Sequence, residues 1–174
     1  MNFTCATPAI NEAAKKDETP SMQALRLAKE KSRALASDYP SHLIIAADQV
    51  AMSGQIQLTK PGNKHNAIKQ LQLSSGSKVI FYTSICILDS ATGKIISDLD
   101  ICTVYFKKLS DQQIANYIAL EQPYDCAGSF KSEGLGIALF ERIEGDDPNA
   151  LIGLPLIKLI ALLAALDINV LEKI

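Results

Sequence analysis

The apolar run Leu43-Ile44-Ile45-Ala46-Ala47 is followed by Asp48-Gln49 and then by Val50-Ala51-Met52. A short apolar run with β-branched members predicts a strand that is covered on both faces. We expect this strand to end at Asp48, because ligands of open α/β sheets bind beyond the carboxyl ends of the strands. A lone Asp in this position more often caps a turn than acts in catalysis. Other residues must therefore decide its role.

Signals for helices and strands alternate on both sides of this segment. Thr19-Pro20 predicts a helix start, since Thr caps well and Pro is tolerated at the first helical position. Asn63 can cap a second helix, and Ser110 followed by Gln113 is a capping box for a third. Residues 89–94 are rich in turn formers and predict a hairpin between the strands on either side. The order predicts an α/β fold in which helices flank a mixed central sheet. The expected helices are 21–36, 64–73, 110–120 and one starting at Pro155, and the expected strands are 43–47, 50–58, 78–88, 95–106, 137–143 and one near Val170.

Composition narrows the classes of partner. The chain has 174 residues and a net charge of -2, which favours a single domain, 1–174, without an excess of cationic side chains. A protein that binds nucleic acid through phosphate contacts usually has such an excess, so we expect no nucleic-acid partner. No apolar stretch approaches the length of a membrane span, so we expect no membrane partner. Small anionic substrates remain open, because a few local lysines suffice to bind them.

The cysteines indicate a reducing compartment. Four are present, and they are widely separated without the paired spacing of a zinc site. We interpret them as reduced thiols and expect a cytoplasmic protein. They are Cys5, Cys86, Cys102 and Cys126.

Charged residues near the predicted element ends supply the chemistry. Glu12 lies in an irregular segment, Lys31 on the first helix, and Lys60 in the turn Thr59-Lys60-Pro61. With Asp48, Glu12 forms a pair of carboxylates of the kind that holds Mg²⁺ together with substrate phosphates. Two lysines can neutralise a polyphosphate. Each of these side chains taken alone is equally well explained as an ordinary exposed charge.

Four motifs, in the same order along the chain, resemble the Maf family of nucleoside triphosphate pyrophosphatases, and within it the bacterial 7-methyl-GTP pyrophosphatase branch. The cues for the branch are Gln49 and Ser132-Glu133-Gly134, with support from residues 140–149. The resemblance covers essentially the whole chain and implies a Maf/Ham1-like fold with a substrate cleft. The four motifs are 43–49, 59–61, 125–134 and 151–156.

The resemblance also implies roles for individual residues. Asp48 matches the catalytic acid/base and, with Glu12, a site for a divalent cation, Mg or Mn. Lys31 and Lys60 match lysines that bind phosphate. Gln49 and Glu133 match positions that select the base. The implied reaction is hydrolysis of 7-methyl-GTP to 7-methyl-GMP and pyrophosphate, and a homodimer is the implied assembly.

The chain departs from the family pattern at two places. Family members begin with a strand and a phosphate-binding loop that leads into a helix, and Met1 aligns after that helix. We therefore expect about twenty residues of the family domain to be missing from this sequence, with a loss of phosphate-binding groups. The second departure is Asn11-Glu12 in place of Asp-Glu. It keeps an oxygen ligand but removes a negative charge.

Two alternatives stay open from the sequence. One keeps the fold and changes the base, to dTTP/UTP or a damaged purine nucleotide. The other is a catalytically impaired nucleotide-binding protein linked to control of septation.

Overall fold

A computed structural model describes residues 3–172, which form a five-stranded sheet with helices on both of its faces. The strands follow the order β2-β1-β3-β4-β5 across the sheet. The helices are α1 (Pro20–Ala34), α2 (Lys64–Ser74), α3 (Asp111–Glu121) and α4 (Leu156–Ala164), and the strands are β1 (Leu43–Ser53), β2 (Ile56–Leu58), β3 (Lys78–Asp89), β4 (Ile95–Phe106) and β5 (Phe140–Glu144).

The α/β class with flanking helices is confirmed, but all four strand pairs are antiparallel, so the sheet is not mixed. The connections explain two of these antiparallel pairs. A two-residue turn, Gly54-Gln55, joins β1 to β2, and a short hairpin joins β3 to β4. Strands joined by such short connections must run antiparallel, because a parallel pair needs a long crossover.

Strand β1 does not end at Asp48, as the sequence pattern predicted. It continues through Asp48 and Gln49 to Ser53, and these two residues pair with Ser84 and Thr83 of β3. Polar side chains are tolerated in mid-strand here because both are hydrogen-bonded, Asp48 to Lys31 and Gln49 to Thr83. The site is therefore carried by the middle of an antiparallel strand.

The helix starts follow their predicted caps. The Thr19 hydroxyl accepts from the Met22 N–H, and the Asn63 side chain accepts from the Asn66 N–H. Both halves of the capping box at Ser110 are formed. These bonds satisfy backbone donors that a helix leaves unpaired at its first turn.

The two faces of the sheet are covered by different helices. Helix α1 lies on one face, where the Ser84 hydroxyl donates to the Ala24 carbonyl. Helices α2 and α3 lie on the other, where Phe81 of β3 meets Leu71 and Ile118 in the main core. Neighbouring residues of a strand point to opposite faces. Hence β3 contributes to both layers, and its residues from Phe81 to Leu88 alternate between them.

Two further predictions near the C-terminus were wrong. Residues 135–139 form a turn of 3₁₀-helix, and the strand begins only at Phe140. Residues 165–172 contain no strand. An apolar run of five residues does not distinguish a strand from a tight helical turn. Within residues 3–172 no helix has the length and apolar character needed to cross a membrane.

A leucine pair tests whether the α2–α3 layer is the main core. Leu71 is fully buried, whereas Leu120 is 73% exposed. Leu71→Ala should lower the free energy of unfolding by about 3 kcal/mol, because it removes buried methyl groups and leaves a cavity. Leu120→Ala should change it by less than about 0.5 kcal/mol. Urea unfolding measures both, and equal losses would contradict the assigned core.

Candidate active site beside strand β1

A cavity of about 520 Å³ lies beside the middle of β1. It is lined by side chains from α1, β1, the β2–α2 connection and the loop that follows α3. All six site residues expected from the sequence line this one cavity. They are Glu12, Lys31, Asp48, Gln49, Lys60 and Glu133.

The edge of β1 explains how Asp48 and Gln49 share a cavity although they point to opposite faces of the sheet. Strand β2 pairs with β1 only at Ala51–Ser53. Within residues 3–172, no strand pairs with residues 47–50 on that side. The cavity therefore passes around an uncovered strand edge and reaches both faces.

Lys31 joins the two carboxylates of the site. Its Nζ lies 2.6 Å from Asp48 Oδ1 and 2.9 Å from Glu12 Oε1. The Asp48 side chain is only 8% exposed, and that of Glu12 is 55% exposed. The three groups thus form a short ion network with Asp48 at its buried end and Glu12 at its open end.

Burial changes the protonation of this network. Loss of solvent raises the pKa of the Asp48 carboxyl, and the opposing hydrogen bond from Lys31 offsets this only in part. Burial disfavours the charged form of Lys31 as well. However, its hydrogen bonds to Asp48 and Glu12 outweigh that effect and raise the pKa of Lys31. A carboxylate with a raised pKa is better suited to take a proton near neutral pH.

The irregular segment that carries Glu12 is held on α1 by Arg26. The guanidinium lies 2.6 Å from Glu18 Oε1 and donates to the Ala13 carbonyl at 3.1 Å. The hydrogen bond from Arg26 to the Glu18 carboxylate lowers the pKa of Glu18 to about 2. Sequence reasoning did not identify Arg26, because its partners lie up to 13 residues away in a segment without regular structure.

The loop after α3 is held against the main core by Phe130. Phe130 packs edge-on against Phe81 at 5.4 Å between ring centroids, and the Ser129 hydroxyl donates to Gln70 Oε1 at 2.7 Å. Gly128 has a φ of 79°, where a side chain would be strained and would press on Phe130. The next residues of the loop, Lys131 and Glu133, line the cavity.

Three lysines line the cavity among four carboxylates, Glu12, Asp48, Asp125 and Glu133, so it offers groups that can bind phosphate as well as groups that can bind a cation. Lys60 and Lys131 add two cationic groups to Lys31. Sequence reasoning included Lys131 in the motif 125–134 but gave it no role. Its position in the same cavity as Lys60 depends on the fold of that loop, which local patterns do not reveal.

The carboxylates fit a divalent cation. Glu12 and Asp48 both approach the same ammonium group, so their oxygens converge on one point. Carboxylate oxygens are the ligands that Mg²⁺ prefers, and Mg²⁺ commonly binds through one or two of them together with waters and substrate phosphates. In residues 3–172 there is no cluster of three or more His, Cys, Asp or Glu side chains that could hold a metal. A cation held by Glu12 and Asp48 would therefore need further ligands of another kind, such as waters or substrate phosphates.

An α/β fold with a cleft that contains paired carboxylates and several lysines is typical of proteins that bind phosphate-bearing ligands. The family comparison agrees with that class. The model of the Maf-like protein family matches residues 1–166, and the chain belongs to this family.

Curated relatives match over almost the whole chain. The 7-methyl-GTP pyrophosphatase of Colwellia psychrerythraea is 52% identical over 173 residues, which are 99% of this chain and 86% of that protein. The 7-methyl-GTP pyrophosphatase of Pseudoalteromonas translucida is 50% identical over 99% of this chain and 85% of its own length. That of Methylobacillus flagellatus is 47% identical over 98% of this chain and 88% of its own length.

A titration of Asp48 tests the ion network directly. The pKa of Asp48 should lie above the usual value for Asp, and Lys31→Met should raise it further, because the ammonium favours the charged carboxylate. NMR of the labelled carboxyl carbon measures the pKa in both proteins. Lys60→Met, which removes a lysine of the same cavity, is the control and should leave it unchanged. A pKa that falls in Lys31→Met would contradict the network.

Proposed function

We propose that this chain is a nucleoside triphosphate pyrophosphatase that hydrolyses 7-methyl-GTP to 7-methyl-GMP and pyrophosphate. The observation that carries the proposal is the buried Asp48 carboxylate, held by Lys31 inside a cleft that also presents lysines. The names of the curated relatives, each close to half identical over nearly all of this chain, support the substrate.

Asp48 is the proposed general base. It takes a proton from a water molecule whose oxygen forms a bond to the α-phosphorus, while the bond from the α-phosphorus to the bridging oxygen breaks. Pyrophosphate leaves with the electrons of that bond. The raised pKa of Asp48 favours this role, because a more basic carboxylate takes the proton more readily.

The charged groups around Asp48 bind the phosphates. Lys60 and Lys131 face the cleft and would neutralise the negative charge that develops on the leaving group. Lys31 positions Asp48 and adds its own positive charge. Glu12 and Asp48 would hold a divalent cation such as Mg²⁺ or Mn²⁺, which supplies further charge neutralisation on the phosphate oxygens.

Glu133 is the proposed selector of the base. It is exposed and lines the cavity, and it also lines a smaller, mainly apolar neighbouring cavity of about 300 Å³. Guanine presents two donors, the N1–H and the exocyclic amine, which a carboxylate can accept. Methylation at position 7 makes the base cationic, and a nearby anion attracts it.

An aspartate pair tests the general base. Asp48→Asn preserves the shape of the side chain and removes its basicity. It should therefore lower kcat for pyrophosphate release from 7-methyl-GTP by about 10³-fold. The matched control is Asp38→Asn, at an exposed aspartate outside the cavity, which should retain wild-type activity. Retained activity in Asp48→Asn would remove Asp48 from the mechanism.

A glutamate pair tests the choice of base. Glu133→Gln keeps the size of the side chain and removes its charge, so kcat/KM for 7-methyl-GTP should fall about tenfold, while that for UTP changes little. Glu141→Gln, at an exposed glutamate that lines neither cavity, serves as the control. A substrate panel of 7-methyl-GTP, GTP, dTTP and UTP provides the measurement. An equal loss for all four nucleotides would exclude a role for Glu133 in specificity.

A further inference from the structure

The side-chain amide of Gln49 is held by three oxygen atoms of the protein. Its Nε2 donates to Thr83 Oγ1 at 2.9 Å, to the Ala150 carbonyl at 3.0 Å and to the Leu151 carbonyl at 3.3 Å. Thr83 lies opposite Gln49 on the neighbouring strand and is fully buried. The network therefore joins the middle of β1 to the segment that precedes α4.

The chemistry of these partners fixes which end of the amide faces them. The two carbonyl oxygens can only accept hydrogen bonds. The Thr83 hydroxyl has one hydrogen, and it donates this hydrogen to the Ala150 carbonyl at 2.9 Å. Thr83 Oγ1 must then accept from Gln49. Only the NH₂ group can bond to these partners, with its two hydrogens shared among three acceptors, because the amide oxygen has no hydrogen to donate.

The oxygen of Gln49 is therefore the end of the amide that remains available. Within residues 3–172 it accepts no hydrogen bond from the protein, and it is not among the buried polar atoms that lack a partner. Because Gln49 lines the cavity, this oxygen is accessible to a ligand there. It can receive a hydrogen bond from a ligand and cannot give one.

We propose that Thr83 is a positioning residue for recognition of the base. It orients the Gln49 amide so that the oxygen accepts a hydrogen bond from the exocyclic amine of guanine. This inference rests on the proposed function, since it concerns the base of that substrate. Thr83 itself is buried beneath Gln49 and does not contact the nucleotide.

The proposal is compatible with the role of Glu133. Glu133 can accept from the N1–H, which a base without the amine also carries, while the Gln49 oxygen accepts from the exocyclic amine. A base without that amine leaves the Gln49 oxygen without its partner. The free-energy cost of this missing hydrogen bond should make the site prefer the base that carries the amine over the base that lacks it.

The experiment compares 7-methyl-GTP with 7-methyl-ITP, which lacks the exocyclic amine. The wild-type protein should favour 7-methyl-GTP about tenfold in kcat/KM, because a tenfold ratio corresponds to the free energy of about one hydrogen bond. Thr83→Val, which is similar in volume and lacks the hydroxyl, should reduce this preference to about threefold or less. The change should appear in KM for 7-methyl-GTP, with kcat within about twofold of wild type.

Thr83→Ser is the matched control, because it restores the hydroxyl and should restore the preference. A purely structural role for Thr83 predicts a different result, with similar losses for both nucleotides. An unchanged preference in folded Thr83→Val would overturn the inference. If Thr83→Val does not fold, Gln49→Leu provides the test. It removes the oxygen itself and should abolish the preference, and a preference retained in that variant would equally overturn the inference.

The outcome also separates this inference from the proposed function. A wild-type protein that does not hydrolyse 7-methyl-GTP refutes the proposed function, and the inference with it. A wild-type protein that hydrolyses it, with a preference unaffected by Thr83→Val, refutes only the positioning role.

Discussion

The ion pair between Lys31 and Asp48 is the interaction on which the site depends. It joins α1 to the middle of β1 and keeps a nearly buried carboxylate charged next to an ammonium, at 2.6 Å. A buried ion pair adds little net stability, but loss of one partner leaves an uncompensated charge, at a cost of about 3–5 kcal/mol. The geometry of the cleft and the protonation of Asp48 are thus coupled through one contact.

The rest of the site is arranged around that contact by the continuity of β1. Since side chains alternate along a strand, Asp48 meets α1 on one face and Gln49 meets Thr83 on the other. The uncovered edge of β1 lets a single cavity reach both. In the proposed function, one face of the strand then serves the phosphates and the other serves the base.

Local signals in the sequence predicted the elements well. The caps at Thr19, Asn63 and Ser110 and the β3–β4 hairpin depend on neighbouring residues, and the structure confirms them. The strand end expected at Asp48 was wrong, because the rule behind it applies to parallel sheets and this sheet is antiparallel. Pairing with Ser84 and Thr83, over 30 residues away, keeps β1 extended, and no local pattern contains that information.

The sequence also predicted the site only in part, because some of its residues come together only through contacts between distant parts of the chain. The resemblance in the motifs indicated six residues, and the fold places all six around one cavity. It gave no role to Arg26, Lys131 or Thr83, whose positions depend on the fold of the chain. Periodicity alone could not distinguish Asp48 from a turn cap. Its burial next to Lys31 does.

The most direct test of the central claim locates the oxygen atom that the reaction adds. The chain is incubated with 7-methyl-GTP and Mg²⁺ in water enriched in the heavy isotope of oxygen. The masses of the products are then measured by mass spectrometry. Attack of water on the α-phosphorus, activated by Asp48, predicts one heavy oxygen in 7-methyl-GMP and none in pyrophosphate. Heavy oxygen in the pyrophosphate, or release of orthophosphate in its place, would contradict the account.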